Sequence, residues 1–269
     1  MIKLIVTDLD GTLFTSDHLT ISERNIKALK RAREKGIKLA ISSGRAYCLL
    51  DDVIRQLGAV DYIMTSNGAA SADSSGRIIS ADFIEYEEWK NIYATLAKEG
   101  IVTEVYCGGN TYLNKEDFAK YENPSLGEPA LNVLKGIITP CGDVLKNLEG
   151  KSAEKLYSIY VEKEVFDRFK EKFEKIGMEV TSSIPHNMEI SKKGINKGRG
   201  LKKLCSALGI DLDEVMAFGD EENDIEMLKA AGYSYAMKNA SKAVKETAKF
   251  ITESNDNDGV AAAVEKLLN

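Results

Sequence analysis

Two carboxylates, Asp8 and Asp10, stand two residues apart directly after an apolar run at the start of the chain. Because residues i and i+2 of a strand point to the same side, both can face one site where the chain leaves a sheet. One carboxylate can then attack a substrate while the other moves protons. Gly11 permits a sharp turn, and Thr12 adds a hydroxyl and an amide that an anion can use. An Asp-Gly turn at a strand end is the alternative, so the rest of the chain must decide.

Three further polar groups follow predicted strands or precede a predicted helix. Ser43 and Gly44 end the second strand and offer a hydroxyl and free amides to an anion. Asp220 and Asp224, four residues apart after a later strand, suit a pair of oxygen ligands for Mg²⁺. Lys197, in a glycine-rich stretch before a helix, could neutralise a phosphate. Each group alone could be a helix cap or a solvated loop residue, but together they indicate phosphoryl transfer.

The elements that must position these residues are apolar strands alternating with amphipathic helices at both ends of the chain. The predicted strands are 3–7, 37–42, 60–65, 215–218, 233–237 and 250–251, and the predicted helices are 22–35, 46–57, 222–231, 240–248 and 260–268. This alternation predicts an α/β fold with a doubly wound parallel sheet covered on both faces. Open parallel sheets bind ligands at the carboxyl ends of their strands, where the acidic groups and Ser43 fall.

The middle of the chain departs from this pattern. Its predicted elements are helices at 87–99 and 164–176 and alternating strands at 103–113 and 157–162. The interval 82–187 also carries the chain's entire net charge of −6 and its single tryptophan, Trp89. We therefore predict an α/β domain over 82–187, inserted into a core domain formed by 1–81 and 188–269.

Composition narrows the class of protein and of partner. A chain of 269 residues, 43% hydrophobic, can form one large or two ordinary domains. The negative net charge argues against nucleic-acid partners and against an anionic membrane surface. Apolar runs fall far short of the roughly 20 residues that cross a bilayer, and no export signal is recognised, so a cytoplasmic protein without a membrane partner is predicted. The four cysteines lack a zinc-ligand spacing and are interpreted as reduced thiols.

With these motifs in place, the chain resembles the haloacid dehalogenase (HAD) superfamily and, within it, the Cof-type phosphatases. The matching segments are DLDGTL at 8–13, SSGR at 42–45, TSNGA at 65–69, INKGRGL at 195–201 and GDEEND at 219–224. They occur in the family's order and at its usual separations. The resemblance implies a Rossmann-like core with a mobile α/β cap inserted after the third strand. Lys238 departs from the pattern, since related chains often have glycine there; it adds a positive charge near the site mouth or on the surface.

Carried over residue by residue, the resemblance implies a Mg²⁺-dependent phosphatase that forms a phosphoaspartate. Asp8 attacks phosphorus, and Asp10 protonates the leaving group and then activates water. Mg²⁺ is held by Asp8, the Asp10 backbone carbonyl and Asp220, with Asp224 as ligand or support. The implied phosphate contacts are Ser43, Lys197, Asn223 and the amides of Leu9 and Gly44.

The same resemblance implies that the cap determines which substrate is accepted. The candidate contacts to the leaving group are Tyr106, Asn110, Tyr112, His186 and Asn187. We expect a small phosphorylated metabolite, with a sugar phosphate foremost, and a monomer or weak homodimer. Two alternatives stay open: a phosphomutase or other phosphotransferase that passes the group to a second hydroxyl, and a non-catalytic regulator that binds a phosphorylated ligand.

Overall fold

A computed structural model of the chain describes residues 1–118, 120, 138–182 and 186–268. Two compact units account for them. The first comprises Met1–Arg45, Leu50–Ala81 and Asn196–Asn269, and the second comprises Ala46–Leu49 and Asp82–Ile195. Parts of the predicted insert, 119, 121–137 and 183–185, and residue 269 of the predicted core lie outside the described residues.

The strands and helices are numbered here in chain order. The strands are β1 (Leu4–Thr7), β2 (Lys38–Ser42), β3 (Tyr62–Thr65), β4 (Ala70–Asp73), β5 (Ile78–Ala81), β6 (Thr103–Cys107), β7 (Asn110–Asn114), β8 (Thr139–Cys141), β9 (Lys155–Ile159), β10 (Met178–Thr181), β11 (Asn187–Lys192), β12 (Val215–Gly219), β13 (Tyr233–Ala236) and β14 (Phe250–Ile251). The α-helices are α1 (Glu23–Glu34), α2 (Asp51–Leu57), α3 (Tyr86–Lys98), α4 (Lys115–Phe118), α5 (Val144–Asn147), α6 (Lys163–Glu174), α7 (Lys197–Leu208), α8 (Ile225–Ala230), α9 (Lys242–Thr247) and α10 (Gly259–Leu268). Short 3₁₀ turns occur at Tyr47–Leu49, Ser66–Gly68, Leu212–Glu214, Glu222–Asp224 and Asn255–Asn257.

The first unit is built on an eight-stranded sheet in the order β14-β13-β12-β1-β2-β3-β4-β5. The strands from β14 to β3 pair in parallel, and β4 and β5 add an antiparallel hairpin at one edge. From β1 the chain winds outward to β5 and later returns to the other side through β12. The doubly wound parallel α/β fold is thus confirmed. Its switch point lies between β1 and β12, where such sheets bind ligands.

Burial explains why the central strands form. Every residue of β1 and β12 is buried, the pattern of a parallel sheet whose two faces are covered. Around the sheet, α1 packs against α10, and α7 packs against α8. Helix α1 begins at an N-cap, because the Ser22 hydroxyl accepts a hydrogen bond from the backbone N–H of Asn25. The helix predicted over 46–57 is shorter, since a 3₁₀ turn precedes α2.

The second unit holds a six-stranded sheet in the order β10-β11-β9-β6-β7-β8. The pairings are antiparallel except for that of β7 with β8. Its main apolar cluster joins α3 and α6 to the sheet, with Trp89 and Phe169 fully buried. The segment 103–113 forms the hairpin β6–β7, which turns at Gly108 and Gly109. The unit ends later than residue 187, because β11 pairs with β9 and β10.

Within the described part of the chain, no helix is both long enough and apolar enough to cross a bilayer.

Candidate active site

A buried lysine joins two carboxylates at the carboxyl end of the parallel sheet. Asp8 directly follows β1 and is 6% exposed. Lys197, which is fully buried, donates from Nζ to Oδ1 of Asp8 at 2.6 Å and to Oδ1 of Asp224 at 2.7 Å. Charge-assisted bonds this short are among the strongest that side chains form. The structure therefore brings together three residues that lie far apart in the sequence.

The position of Lys197 depends on close backbone packing at the start of α7. A Cβ atom at Gly198 would lie 2.3 Å from the carbonyl oxygen of Glu226, and one at Gly200 would lie 2.7 Å from the Cα of Gly68. No side chain fits at either position without a shift of the neighbouring backbone. The two glycines thus let the first turn of α7 sit directly on α8 and on the turn Ser66–Gly68, which buries the lysine among the carboxylates.

Asp220, the residue after β12, is fixed by the turn that follows β1. Its Oδ1 accepts a hydrogen bond of 2.6 Å from the hydroxyl of Thr12. Gly11 has φ +76°, and a Cβ there would lie 2.2 Å from Oδ2 of Asp220. Asn239 steadies the same turn by donating to the Gly11 carbonyl at 2.7 Å. Glycine at position 11 is required both by the backbone angle and by the nearness of this carboxylate.

Asp224 is fully buried, and hydrogen bonds reach both of its oxygens. Oδ1 receives the ammonium of Lys197, and Oδ2 accepts from the backbone N–H of Asp220 at 3.0 Å and of Glu221 at 3.2 Å. A carboxylate bound in this way holds the loop after β12 and the lysine in place. The geometry thus favours a supporting role for Asp224 over direct metal ligation.

Negative charge exceeds positive charge in this cluster. Carboxylate oxygens of Asp8, Asp220 and Asp224 lie within 4.8 Å of one another. Burial, reinforced by the two neighbouring carboxylates, holds the pKa of Asp8 well above its usual range, although Lys197 opposes this. Burial also raises the pKa of Asp220 to about 7; the Thr12 bond opposes this shift and Asp224 adds to it. Burial lowers the pKa of Lys197, but Asp224 and Asp8 together outweigh it, so the net shift is upward.

Such a cluster needs protons or a cation to balance it. All three side chains offer only oxygen atoms as metal ligands, which suits a hard divalent cation such as Mg²⁺ or Ca²⁺. Asp8 and Asp220 each retain a carboxylate oxygen outside the bonds described above, whereas Asp224 does not. The residues present therefore fit a divalent cation held mainly by Asp8 and Asp220.

Asp10 lies at the rim, where Arg45 grips its carboxylate. Arg45 donates from Nη2 to Oδ1 at 2.6 Å and from Nε to Oδ2 at 3.1 Å, which is a two-point ion pair. His18 places Nδ1 3.3 Å from the same Oδ1. Asp10 is thus the most exposed of the four acids, and an arginine rather than Lys197 accompanies it.

The phosphate-contact candidates Ser43, Gly44 and Asn223 meet around one residue, Asn67. The backbone N–H of Asn67 donates to the Ser43 carbonyl at 3.0 Å, and its side chain lies against Gly44. Asn223 donates from Nδ2 to Oδ1 of Asn67 at 3.2 Å. The loops after β2, β3 and β12 are therefore joined at this point. The Ser43 hydroxyl, buried with its residue, accepts from the N–H of Arg45 at 3.2 Å.

Leu9 and Lys238 are the remaining residues to which the sequence draws attention. Leu9 is fully buried, and its carbonyl accepts from the backbone N–H groups of Thr12, Leu13 and Phe14, which closes the turn after β1. Lys238 is an exposed residue whose Nζ lies 3.3 Å from the carboxylate of Glu253. A neighbouring acid therefore accompanies the extra positive charge noted in the sequence.

The family model of haloacid dehalogenase-like hydrolases matches residues 5–264. The chain belongs to this family. It is 33% identical over 292 residues to the phosphatase YwpJ of Bacillus subtilis (strain 168), an alignment that covers 99% of this chain and 100% of that protein. It is 32% identical over 269 residues to the 5-amino-6-(5-phospho-D-ribitylamino)uracil phosphatase YcsE of the same organism, covering 98% and 94%.

Solved structures agree with these relatives. A haloacid dehalogenase-like hydrolase from B. subtilis matches with a TM-score of 0.83 and 30% identity, covering 99% of this chain and 100% of that one. The resemblance to the HAD superfamily stated from the sequence is confirmed, as is the prediction of an enzyme of this hydrolase family whose relatives are named phosphatases.

In this HAD-like hydrolase, the candidate leaving-group contacts all lie in the second unit. Tyr106 is buried, with its ring beside that of Tyr157, and Asn187 is buried on β11. Tyr112 packs against the apolar cluster that contains Trp89. The other two candidates, Asn110 and His186, are exposed.

Sequence reasoning missed Arg45, His18 and Asn67 as residues of the site. Arg45 stands next to Ser43 and Gly44, a motif interpreted only for its hydroxyl and amides. The signal that could have found it is an arginine at the end of a parallel strand beside an acid-rich neighbouring loop. Asn67 belongs to a motif that matched the family, but its left-handed backbone, φ +55°, is visible only in the structure.

Proposed function

We propose that this HAD-like hydrolase is a Mg²⁺-dependent phosphatase that hydrolyses small phosphorylated metabolites, sugar phosphates foremost, through a phosphoaspartate on Asp8. One observation carries the proposal: a buried ammonium bonded at 2.6 Å to the carboxylate of Asp8, with two more buried carboxylates beside it. A nucleophilic carboxylate, a fixed positive charge and a cation-binding set of oxygens are the groups that phosphoryl transfer requires.

Asp8 is the nucleophile in this proposal. Lys197 contacts its Oδ1, and among the described residues no hydrogen bond is recorded to its Oδ2. Oδ2 is therefore the oxygen that attacks phosphorus, which leaves Oδ1, beside Lys197, to face the ion. The new bond joins Oδ2 to phosphorus as the bond from phosphorus to the leaving oxygen breaks, which divides one difficult displacement into two easier ones.

Asp8 and Asp220 would hold Mg²⁺ together with the backbone carbonyl of Asp10. When bound, the ion supplies the positive charge that lets an anionic carboxylate approach an anionic phosphate. Asp224 keeps Lys197 and the loop after β12 in place, since both of its oxygens are already engaged.

The phosphate is bound by donors that converge from separate loops. They are the hydroxyl of Ser43, the ammonium of Lys197, the side-chain amide of Asn223 and the backbone amides of Leu9 and Gly44. In the transition state the charge is spread over three equatorial phosphate oxygens, where each preorganised donor contributes roughly 3–4 kcal/mol by analogy with oxyanion donors. Asn67 supports this site by joining the loops that carry Ser43 and Asn223.

Asp10 moves the protons. It first donates a proton to the leaving oxygen, which departs as an alcohol. It then takes a proton from the water that attacks the phosphorus of the phosphoaspartate, which frees the Asp8 carboxylate and releases inorganic phosphate. A position at the partly exposed rim suits a group that must reach both a leaving group and a water.

A small polar metabolite is the substrate class that the relatives support best. The relative YcsE is named for a phosphorylated ribitylamino compound, which carries its phosphate on a sugar-like chain. A net charge of −6 on this chain disfavours polyanionic substrates such as nucleic acids.

The test is a direct search for the covalent intermediate. Wild-type protein is mixed with p-nitrophenyl phosphate and MgCl₂, quenched in acid within one turnover, and treated with borohydride, which reduces an aspartyl phosphate to homoserine. Peptide mass spectrometry should find homoserine at position 8, and a chelator added before substrate should prevent its formation.

The same reaction separates the alternatives. Release of one phosphate for each substrate consumed, with no acceptor added, supports the hydrolase. Consumption of the substrate that depends on a second hydroxyl compound would instead indicate a phosphotransferase, which passes the phosphoryl group to that hydroxyl. Binding of phosphorylated ligands with neither turnover nor modification of Asp8 would overturn the proposal in favour of a regulator.

A further inference from the structure

The contact between Arg45 and Asp10 differs from the other ion pairs of the site. Arg45 meets both carboxylate oxygens, Nη2 to Oδ1 at 2.6 Å and Nε to Oδ2 at 3.1 Å. The two side chains are 29% and 40% exposed, so the pair lies at the rim and not inside the buried cluster. A carboxylate turns easily about its last torsion angle, and two parallel bonds to a planar guanidinium remove that freedom.

Arg45 is itself held firmly by its surroundings. Its guanidinium lies over the ring of Phe14, with 5.3 Å between the guanidinium carbon and the ring centroid. Its backbone N–H donates to the hydroxyl of Ser43, and its carbonyl accepts from the backbone N–H of Ser66. These contacts link the arginine to the turn after β1 and to the loops after β2 and β3.

We propose that Arg45 is a positioning residue that sets the direction in which Asp10 transfers protons. The inference rests on the proposed function, in which Asp10 is the acid and base. By holding both oxygens, Arg45 fixes the plane of the carboxylate relative to Asp8. Lysine could not replace it, because an ammonium offers no pair of parallel donors.

A second side chain converges on the same carboxylate. His18 has a left-handed backbone, φ +57°, and places Nδ1 3.3 Å from Oδ1 of Asp10. Its turn is closed by Asp17, whose carboxylate accepts from the backbone N–H groups of Leu19 and Thr20. Strained backbone is retained where the surrounding structure requires it, and here it brings the imidazole to the acid that Arg45 holds.

The proposal predicts a dependence on the leaving group. An alkoxide leaves poorly unless a positioned acid protonates it, whereas p-nitrophenolate leaves with little help. Misplacing Asp10 should therefore slow alkyl phosphates much more than p-nitrophenyl phosphate. Small displacements of catalytic groups lower rates by up to about 100-fold.

The experiment compares kcat for ribose 5-phosphate and for p-nitrophenyl phosphate in wild type, Arg45→Met, Arg45→Lys and Asp10→Asn. We expect Arg45→Met to lower kcat for the alkyl substrate at least ~10-fold more than for the aryl substrate. Arg45→Lys should give an intermediate ratio, and it is the variant to use if Arg45→Met fails to fold. Added guanidinium should restore part of the alkyl activity of Arg45→Met.

The double variant Arg45→Met/Asp10→Asn tests whether Arg45 acts through Asp10. If it does, the double variant is no slower than Asp10→Asn alone. A much slower double variant, or equal losses for both substrates in Arg45→Met, would overturn the inference. Absence of hydrolysis by the wild-type protein would instead overturn the proposed function.

Arg33→Met is the matched control. Arg33 is 30% exposed, close to the 29% of Arg45, and it pairs with Asp61 away from the acidic cluster. It should lower stability slightly and leave the ratio of the two kcat values unchanged. A changed ratio in this control would show that general destabilisation, and not the position of Asp10, governs the leaving-group dependence.

Discussion

Acidic residues have opposite electrostatic surroundings at the two ends of the parallel sheet. At the amino ends, Asp61 just before β3 contacts Arg33 at 2.9 Å, Lys38 at 3.1 Å and the backbone N–H of Leu39 at 3.0 Å. At the carboxyl ends, the carboxylates of Asp8, Asp220 and Asp224 lie within 4.8 Å of one another, and two of them, those of Asp8 and Asp224, bond the same lysine. Asp61 thus bonds two cations at the first end, whereas the buried cluster of three acids at the second end contains a single cation, Lys197.

The pKa values follow this difference. Burial acts to raise the pKa of Asp61, but its bonds to Arg33, Leu39 and Lys38 outweigh burial, and the pKa falls below the usual value. The pKa values of Asp8 and Asp220 rise. A site in which cations neutralise the acids stabilises the fold, whereas a site with excess negative charge lowers the stability of the fold until a ligand binds. Proteins accept such local costs at functional sites.

Replacement of Asp8 should give the largest effect. Asp8→Asn removes the nucleophile, and turnover of p-nitrophenyl phosphate should fall by more than ~10⁴-fold. The same change removes repulsion from the unbalanced end, so the melting temperature of the metal-free protein at pH 8 should rise by about 2–4 °C. Asp61→Asn is the matched variant at the amino end of the sheet. It should leave turnover unchanged and lower the melting temperature. If Asp8→Asn melts lower than wild type, the carboxyl-end cluster is not a site of repulsion.

Removing the shared cation comes next. Lys197→Met keeps the length of the side chain but leaves buried carboxylates unpaired, which should destabilise the metal-free protein by about 3–5 kcal/mol. kcat/KM should fall about 10²–10³-fold, as for other charge-stabilising donors. Denaturant unfolding and steady-state kinetics measure the two effects. Lys38→Met, at the balanced and exposed end, should cost no more than ~1 kcal/mol, and a similar cost at both positions would remove the contrast.

Magnesium should correct the imbalance. Raising MgCl₂ should raise the melting temperature, with about 2.7 kcal/mol gained at 100 times the dissociation constant, and a chelator should reverse the gain. Asp220→Asn should abolish the shift because it removes a ligand. Asp61→Asn should keep it in full. A shift of equal size in both variants would mean that the ion binds elsewhere on the protein.

The pH dependence of Asp61 should be the smallest effect. Because its pKa is lowered in the folded protein, its stabilisation is complete above the unfolded value near 3.9 and is lost as pH falls through the folded value. Asp61→Asn should therefore destabilise the protein by about 1 kcal/mol at pH 7 and by progressively less below pH 4. Urea denaturation of both proteins at pH 7 and pH 3 checks this. A cost that stays constant across this range would mean that the ion pairs are not its source.

The sequence allowed the core to be predicted because its signals are local. Buried apolar strands that end in Asp8, Ser43 and Asp220 follow from periodicity and from the rule for parallel sheets. The N-cap at Ser22 and the ion pair of Glu23 with Lys27, at 2.8 Å, are likewise set by neighbours in the chain. Such features depend on residues within one turn of helix or one strand.

Features that depend on distant partners could not be predicted. Strand β11 alternates apolar residues with Asn187 and Glu189, and all four residues from 187 to 190 are buried. A buried glutamate is compatible with a strand only when its partner is known, here Lys155, whose Nζ lies 2.6 Å from Glu189. The boundary placed at 187 was therefore too early relative to the unit that the structure defines. The grip of Arg45 on Asp10 was missed for the same reason.

The glycine contact at the start of α7 couples two segments of backbone. Gly68 and Gly200 touch without side chains between them, so neither the turn Ser66–Gly68 nor the helix can move without displacing the other. We expect the amide protons of this turn and of the first turn of α7 to exchange with solvent at a common rate, as one cooperative opening unit. The frequency of that opening would set how often the ammonium of Lys197 separates from Asp8 and Asp224. This frequency would depend on the packing of two backbone segments and not on any single side chain.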